Sequence, residues 1–247
     1  MATGQAVIIG GTKGLGRAVT ELFLARGQTV TVVSRNPPGL LKPDPKLHHV
    51  TADLETLTDA AAVVGPTVAA AGPVQYLVFC QRYRGTGDAW QGEFQVGLTA
   101  TRLLVDGFTE HFIKEGDRAI GLVSSVYAEF AGPSQPIGYH VVKAAVNQMT
   151  RYYAWELGRR GIRCNGIMPL SYIKDEAREF YNSKPELTDL YKRFVPLGRM
   201  GDSHDSANLL DFLCSDKAGF INGQCIFVDG GVSVIWQEGL AKSLTEG

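Results

Sequence analysis

The chain has 247 residues, a length that one large α/β domain accommodates. With 45% hydrophobic and 20% charged residues a buried core is available, which excludes wholesale disorder. Lys and Arg total 24 against 25 Asp and Glu, and this net charge of −1 argues against a nucleic-acid binder, which carries a basic excess.

Short β-branched runs alternate with longer amphipathic stretches along the chain. Gln5–Ile9 reads as a strand and Leu15–Arg26 as a helix ending at Gly27. Thr29–Ser34 is a second strand, Asn36–Pro45 a Pro- and Gly-rich loop, and Leu47–Thr51 a third strand. An Ala-rich helix follows over about Leu57–Ala71, then a fourth strand at Gln75–Cys80 and a long helix near Phe94–Lys114. Arg118–Ser124 is a fifth strand, Gly138–Arg159 another long helix, and Ile162–Met168 a sixth strand. The rhythm breaks at about 170–200, a charged and aromatic stretch with short helices predicted near Asp175–Asn182 and Pro185–Arg193. A helix near His204–Cys214 and a strand near Gln224–Val228 close the pattern.

Strands that alternate with helices of ten or more residues imply right-handed βαβ units and a parallel sheet. Runs such as AVII, TVTVV and YLVF are nearly continuous apolar stretches, as strands covered on both faces should be. No linker or repeat divides the chain, so residues 1–247 read as a single domain. Ala60–Gln81 is uncharged but broken by Gly65-Pro66 and Gly72-Pro73, which speaks against a membrane helix. MATGQAVIIGG lacks the basic start of a signal peptide, and a cytoplasmic location is expected. Cys80, Cys164, Cys214 and Cys225 lie scattered in apolar segments and read as free thiols, with no metal site expected.

The 29 glycines, about 12% of the chain against a usual ~7%, ask for tight turns or ligand-cradling loops. Gly10-Gly11-Thr12-Lys13-Gly14-Leu15-Gly16 joins the first strand to the first helix. At that junction glycines let a helix N-terminus approach a pyrophosphate, whose charge the exposed N–H groups stabilise. After the second strand, where NAD sites place a carboxylate on the ribose, the chain has Ser34-Arg35. A guanidinium there, with Lys13, suits a 2′-phosphate and favours NADP(H). Asp53-Leu54 after the third strand could receive the adenine amine or form a plain turn.

Ser124-Ser125 ends the fifth strand, and Tyr139 and Lys143 stand at i and i+4 on one face of the next helix. A phenol with a free pKa of about 10 needs help to exchange a proton near neutrality. An ammonium one turn away favours its phenolate, and a serine hydroxyl can hold a substrate oxygen. Ligands of doubly wound sheets bind at this C-terminal edge.

These motifs together resemble the short-chain dehydrogenase/reductases of about 250 residues. GGTKGLG, Asp53-Leu54, VSSV, YHVVK, GIRCNGIMP and FINGQCIFVDGG occur in family order across essentially the whole chain. The resemblance implies a Rossmann-type doubly wound α/β sheet of about seven strands and a nicotinamide cofactor. It implies Ser125 as hydrogen-bond partner, Tyr139 as acid/base and Lys143 as the pKa tuner that also holds the nicotinamide ribose. It also implies cofactor contacts from Gly10, Thr12, Lys13, Gly14, Leu15, Gly16, Ser34, Arg35, Asp53, Leu54, Cys80, Gln81, Pro169 and Tyr172. The segment at about 170–200 becomes a substrate lid, and a homo-oligomer (tetramer or dimer) is implied. The long helix, with Val142, Val146, Met149, Tyr153 and Trp155 on more than one stripe, fits a subunit seam.

The chain also departs from the family. Phe79-Cys80-Gln81-Arg82 stands where Asn-Asn-Ala-Gly is usual, and Gly97 where a catalytic Asn is usual. Leu170 replaces the Gly after Pro169, Lys174 replaces a Thr, and the 14-position step from Ser125 to Tyr139 is one longer than common. An NADP(H)-dependent oxidoreductase interconverting a carbonyl and an alcohol is the leading reading. Arg82, Arg84 and Lys174 point to a small polar, anionic or sugar-like substrate. A non-catalytic NADP-binding sensor or scaffold, or a dehydratase or isomerase on the same fold, remains the alternative. His48-His49 read as exposed turn residues, and His140 faces either the pocket or solvent.

Overall fold

Seven of the apolar runs form one parallel sheet in the computed structural model, which describes residues 4–39 and 41–245. In chain order the elements are β1 (Gln5–Ile9), α1 (Gly14–Ala25), β2 (Val30–Ser34), β3 (Leu47–Thr51), α2 (Ala61–Ala71) and β4 (Val74–Phe79). Then come α3 (Ala89–Phe94), a π-helical turn at Gln95–Thr99, α4 (Ala100–Phe108), β5 (Ala119–Val123), α5 (Ile137–Gly158) and β6 (Arg163–Pro169). The remainder is β7 (Tyr172–Ile173), α6 (Arg178–Asn182), α7 (Pro185–Phe194), β8 (Gly201–Asp202), α8 (Ser203–Leu213), β9 (Cys225–Val228) and α9 (Gln237–Thr245).

The strand order is β3-β2-β1-β4-β5-β6-β9, all parallel, with the winding order reversing between β1 and β4. One core packs α2, α4 and α5 on the sheet through Val63, Leu104, Phe108 and Leu157; the other packs α1 and α8 through Phe23, Val19 and Leu210. Each such buried side chain stabilises the fold by about 1.5–3 kcal/mol, and β1 is buried along its whole length. A switch point in such a sheet leaves a crevice beyond the strand ends. Register places Ile9 beside Phe79 and Leu122 beside Gly166, so the turns after β1, β4, β5 and β6 emerge at one edge.

The expected elements differ from these in a few places, each with a local cause. The helix expected from Leu57 begins at Ala61, whose N–H donates to the Asp59 carboxylate at 2.9 Å just before the helix. The long helix expected near Phe94–Lys114 starts earlier, at Ala89, capped by Asp88, and α4 ends at Phe108. His48 and His49 lie inside β3 rather than in an exposed turn, half-buried, with His49 Nε2 3.0 Å from Ser34 Oγ. The pairing of β7 with β8 ties the 170–200 stretch to the start of α8.

Candidate active site

The glycine-rich turn follows from two steric requirements. Gly10 and Gly14 hold positive φ (80° and 51°), and a Cβ on Gly16 would strike the Gly10 carbonyl. Lys13 caps α1 with extended backbone and no side-chain bond, which leaves the first N–H groups of the helix turned outward. Glu176, from the stretch before α6, takes one of them: Gly14 N donates to its Oε1 at 3.0 Å, with an Arg17 guanidinium nitrogen at 3.5 Å. A carboxylate on this helix end shows that its donors suit an anion, so the turn fits a pyrophosphate.

At the end of β2 the Arg35 guanidinium donates to Glu55 Oε1 at 2.9 Å, a partner not apparent from the sequence. Ser34 Oγ donates to Asn36 O at 2.7 Å. Asp53 Oδ1 accepts from the Glu55 N–H at 3.0 Å and so closes its own turn, while Leu54 packs on the core.

Beyond β5, Ser124 and Ser125 divide two tasks. Ser124 Oγ donates to the Lys143 carbonyl at 2.8 Å and fastens α5 to the strand end. Ser125 Oγ accepts from Tyr127 N at 3.2 Å and faces the Tyr139 phenol. Tyr139 is 9% and Lys143 7% exposed, and Lys143 Nζ donates to Val123 O at 2.8 Å, 5.5 Å from the Tyr139 ring centre. His140 faces neither the pocket nor open solvent alone. Its Nε2 accepts from Gly132 N at 3.2 Å, so Nδ1 donates to Pro136 O at 3.0 Å, and the ring stacks on Tyr127. The histidine thereby pins the lengthened loop between Ser125 and Tyr139.

The residues after β4 close the site from the opposite side. The Arg82 guanidinium lies 4.7 Å from the Tyr139 ring centre and donates to Gln135 Oε1. Glu93 on α3, 5% exposed, is the residue that sequence reasoning missed. Burial pushes its carboxyl up, while Arg82, Lys143 and Arg84 pull it back. Burial likewise raises the Tyr139 phenol, against a Ser125 hydrogen bond and the positive charge of Arg82 and Arg84. The leading cations on the phenol are thus these arginines rather than the ammonium one turn along. Desolvation lowers Lys143 to about 8, with Glu93 pulling it upward. Burial pushes the Cys80 thiol up to about 12, which leaves it an inert neutral group, and raises the Tyr172 phenol.

Pro169, at the buried end of β6, and half-buried Tyr172 on β7 bring the rim of the 170–200 stretch to the same edge. Lys174 reaches back to within 3.3 Å of a Cβ placed on Gly14. Among the described residues no cluster of His, Cys, Asp or Glu could hold a metal ion, and no helix is long and apolar enough to cross a membrane.

A crevice with an anion-binding helix end on one flank and a serine, tyrosine and lysine on the other defines a nucleotide-cofactor fold with acid/base groups. The family model described as enoyl-(acyl carrier protein) reductase matches residues 10–233. The chain is 30% identical over 246 residues to 3-oxoacyl-(acyl-carrier-protein) reductase FabG of Thermotoga maritima, covering 92% of this chain and 97% of that protein. It is 27% identical over 248 residues to Dehydrogenase/reductase SDR family member 4 of Caenorhabditis elegans, covering 92% and 94%. The solved structure of TT0495 protein from Thermus thermophilus matches with a TM-score of 0.80 and 28% identity, covering 95% of this chain and 100% of that one. The chain belongs to the short-chain dehydrogenase/reductase family and is an oxidoreductase of that family, whose cofactor is a nicotinamide dinucleotide.

Proposed function

We propose that the protein is an NADP(H)-dependent carbonyl reductase, running as the matching alcohol dehydrogenase in reverse, with Ser125, Tyr139 and Lys143 as its catalytic residues. The observation that carries this is the buried Ser125, Tyr139 and Lys143 group at the sheet edge that also presents the α1 N-terminus. Gly10, Thr12, Lys13, Gly14, Leu15 and Gly16 would hold the pyrophosphate, and Ser34, Arg35, Asp53 and Leu54 the adenosine end. Cys80, Gln81, Pro169 and Tyr172 would flank the nicotinamide, with Tyr139 and Lys143 at its ribose. When bound, the cofactor supplies or accepts a hydride.

In reduction Tyr139 gives its proton to the substrate oxygen, and in oxidation it takes that proton back. The Ser125 hydroxyl donates to the same oxygen as negative charge gathers on it. Arg82 and Lys143 favour the phenolate left behind. Arg82, Arg84 and Lys174 make the mouth positive, which speaks for a small polar, anionic or sugar-like substrate. The 170–200 segment acts as a lid over it. Exposed Ile137, Trp155, Val234 and Trp236 support a homo-oligomer, tetramer or dimer, and the four free thiols fit a cytoplasmic protein.

NADPH consumption against a panel of charged and neutral carbonyl compounds tests the reading, with anionic or sugar-like carbonyls expected to turn over best. A preference for neutral hydrophobic ketones would overturn the substrate class. For the cofactor, Arg35→Asp should weaken NADPH binding by about 1–3 kcal/mol in calorimetry and leave NADH nearly unchanged. Equal wild-type affinities for the two would refute the 2′-phosphate assignment.

A further inference from the structure

Behind Lys143, where the family's usual Asn is replaced by Gly97, lies a cavity of about 10 Å³ bordered by Gln81, Gly97, Thr101, Val123 and Lys143. That is room for the centre of one water. The backbone around it is unusual, because residues Gln95–Thr99 form a π-helical turn between α3 and α4. A Cβ on Gly97 would run into the Val142 side chain, so α5 itself forbids a larger residue there.

Hydrogen bonds fix how Gln81 faces this space. Thr101 Oγ1 donates its single proton to Gly97 O at 2.8 Å, so it can only accept from Gln81, whose Nε2 stands 2.8 Å away. Nε2 also reaches Val96 O at 3.4 Å. The amide orientation is therefore set, and Gln81 Oε1 is left buried without a hydrogen-bond partner. A buried amide oxygen with no donor costs roughly the desolvation of that group, so something should fill the position. Lys143 Nζ borders the same cavity with one N–H on Val123 O and two others to give.

We propose that Gln81 is a positioning residue: its Oε1 holds a water in this cavity, and that water accepts a hydrogen bond from the Lys143 ammonium. The pair replaces, from the end of β4, what a side chain at position 97 cannot supply. Each reduction consumes one proton, given by Tyr139 and restored from solvent. Lys143 yields a proton toward the phenolate as the water returns one to Lys143 and takes another from solvent in its place, so the charge of the site is unchanged after the cycle. The charged and titratable groups that face Lys143 are Tyr139 from α5, Glu93 from α3, and Arg82 and Cys80 from the end of β4, and none of them supplies this hydrogen bond. The role in turnover rests on the reductase reading, whereas the water and its hold on Lys143 do not.

The test uses the full-length protein without cofactor. A crystal structure sharp enough to show waters should find one bonded to Gln81 Oε1 and Lys143 Nζ, and a dry cavity overturns the proposal. In protein carrying 13C-labelled lysine, Gln81→Met should lower the Lys143 titration midpoint by about one pH unit, because the ammonium loses a hydrogen-bond acceptor. Gln81→Asn should recover part of the shift, and an unchanged midpoint in the Met variant refutes the role. Should Gln81→Met not fold, Thr101→Val, which releases the amide, must move the midpoint the same way. On a carbonyl substrate, Gln81→Met should cut kcat about tenfold at saturating NADPH with KM for the carbonyl held. Absence of any turnover in the wild type would count against the reductase reading alone, since the water and the titration still decide this one.

Discussion

The two sides of the crevice obey different rules. On the β5 and α5 side, Ser125, Tyr139 and Lys143 sit where the family motif puts them, fastened by Ser124 to the Lys143 carbonyl and by Lys143 to the Val123 carbonyl. On the β4 side the family's usual residues are absent: Arg82 and Glu93 act on the same phenol and ammonium, and Gln81 and Gly97 border the small cavity behind Lys143. The lesson is that a lost side chain in a packed site need not mean a lost task. A neighbouring strand end can present an amide, and an arginine can take over part of the electrostatic work on Tyr139.

Breaking the motif side should have the largest effect. Lys143→Met should lower kcat/KM by about 10²–10⁴-fold and weaken NADPH, since the proposed role of the residue covers both proton transfer and the ribose. It should also flatten the dependence of stability on pH. Lys143 titrates at about 8 in the fold against an ordinary 10.5, so between those values the unfolded chain binds more protons. Wild-type stability should therefore rise with pH through that window, by up to ~3 kcal/mol from this group, and the variant should lose the rise in denaturant titrations.

Breaking the rewritten side should cost less. Arg82→Met removes the cation from the Tyr139 ring and one positive charge from the mouth. The expected loss in kcat/KM is about 10–100-fold for an anionic carbonyl, smaller for a neutral one, with the phenol's titration limb moved to higher pH. Equal losses for both substrates would confine Arg82 to a packing role. The smallest effect sharpens the comparison at the cofactor end. Glu176→Gln should tighten NADPH about 2–5-fold in calorimetry, because the competing carboxylate leaves the α1 N-terminus.

The contrast also explains what could be read from residues alone. β1 has the predicted bounds because its apolar run ends abruptly at a glycine turn. Tyr139 and Lys143 are legible because one helical turn fixes their distance whatever the tertiary context. The π-helical turn at Gln95–Thr99 is not, since it depends on α5 packing against Gly97. Nor is the meeting of Gln81 with Thr101, or of Arg35 with Glu55, because 20 residues separate each pair and only the sheet order brings them together. Glu93 sits in the short run AWQGEF, where nothing in the spacing marks a buried carboxylate.

Tyr139 is the group on which the proposed mechanism depends, because in it this phenol alone exchanges a proton with the substrate oxygen. Side-by-side single-turnover NADPH oxidation by wild type and Tyr139→Phe, on the best carbonyl from the panel, tests this most directly. The wild type should oxidise NADPH only when the carbonyl is present, and the variant should bind NADPH equally well yet be slower by about 10²–10⁴-fold. Near-wild-type oxidation by Tyr139→Phe would contradict the assignment and remove the proton donor from the mechanism.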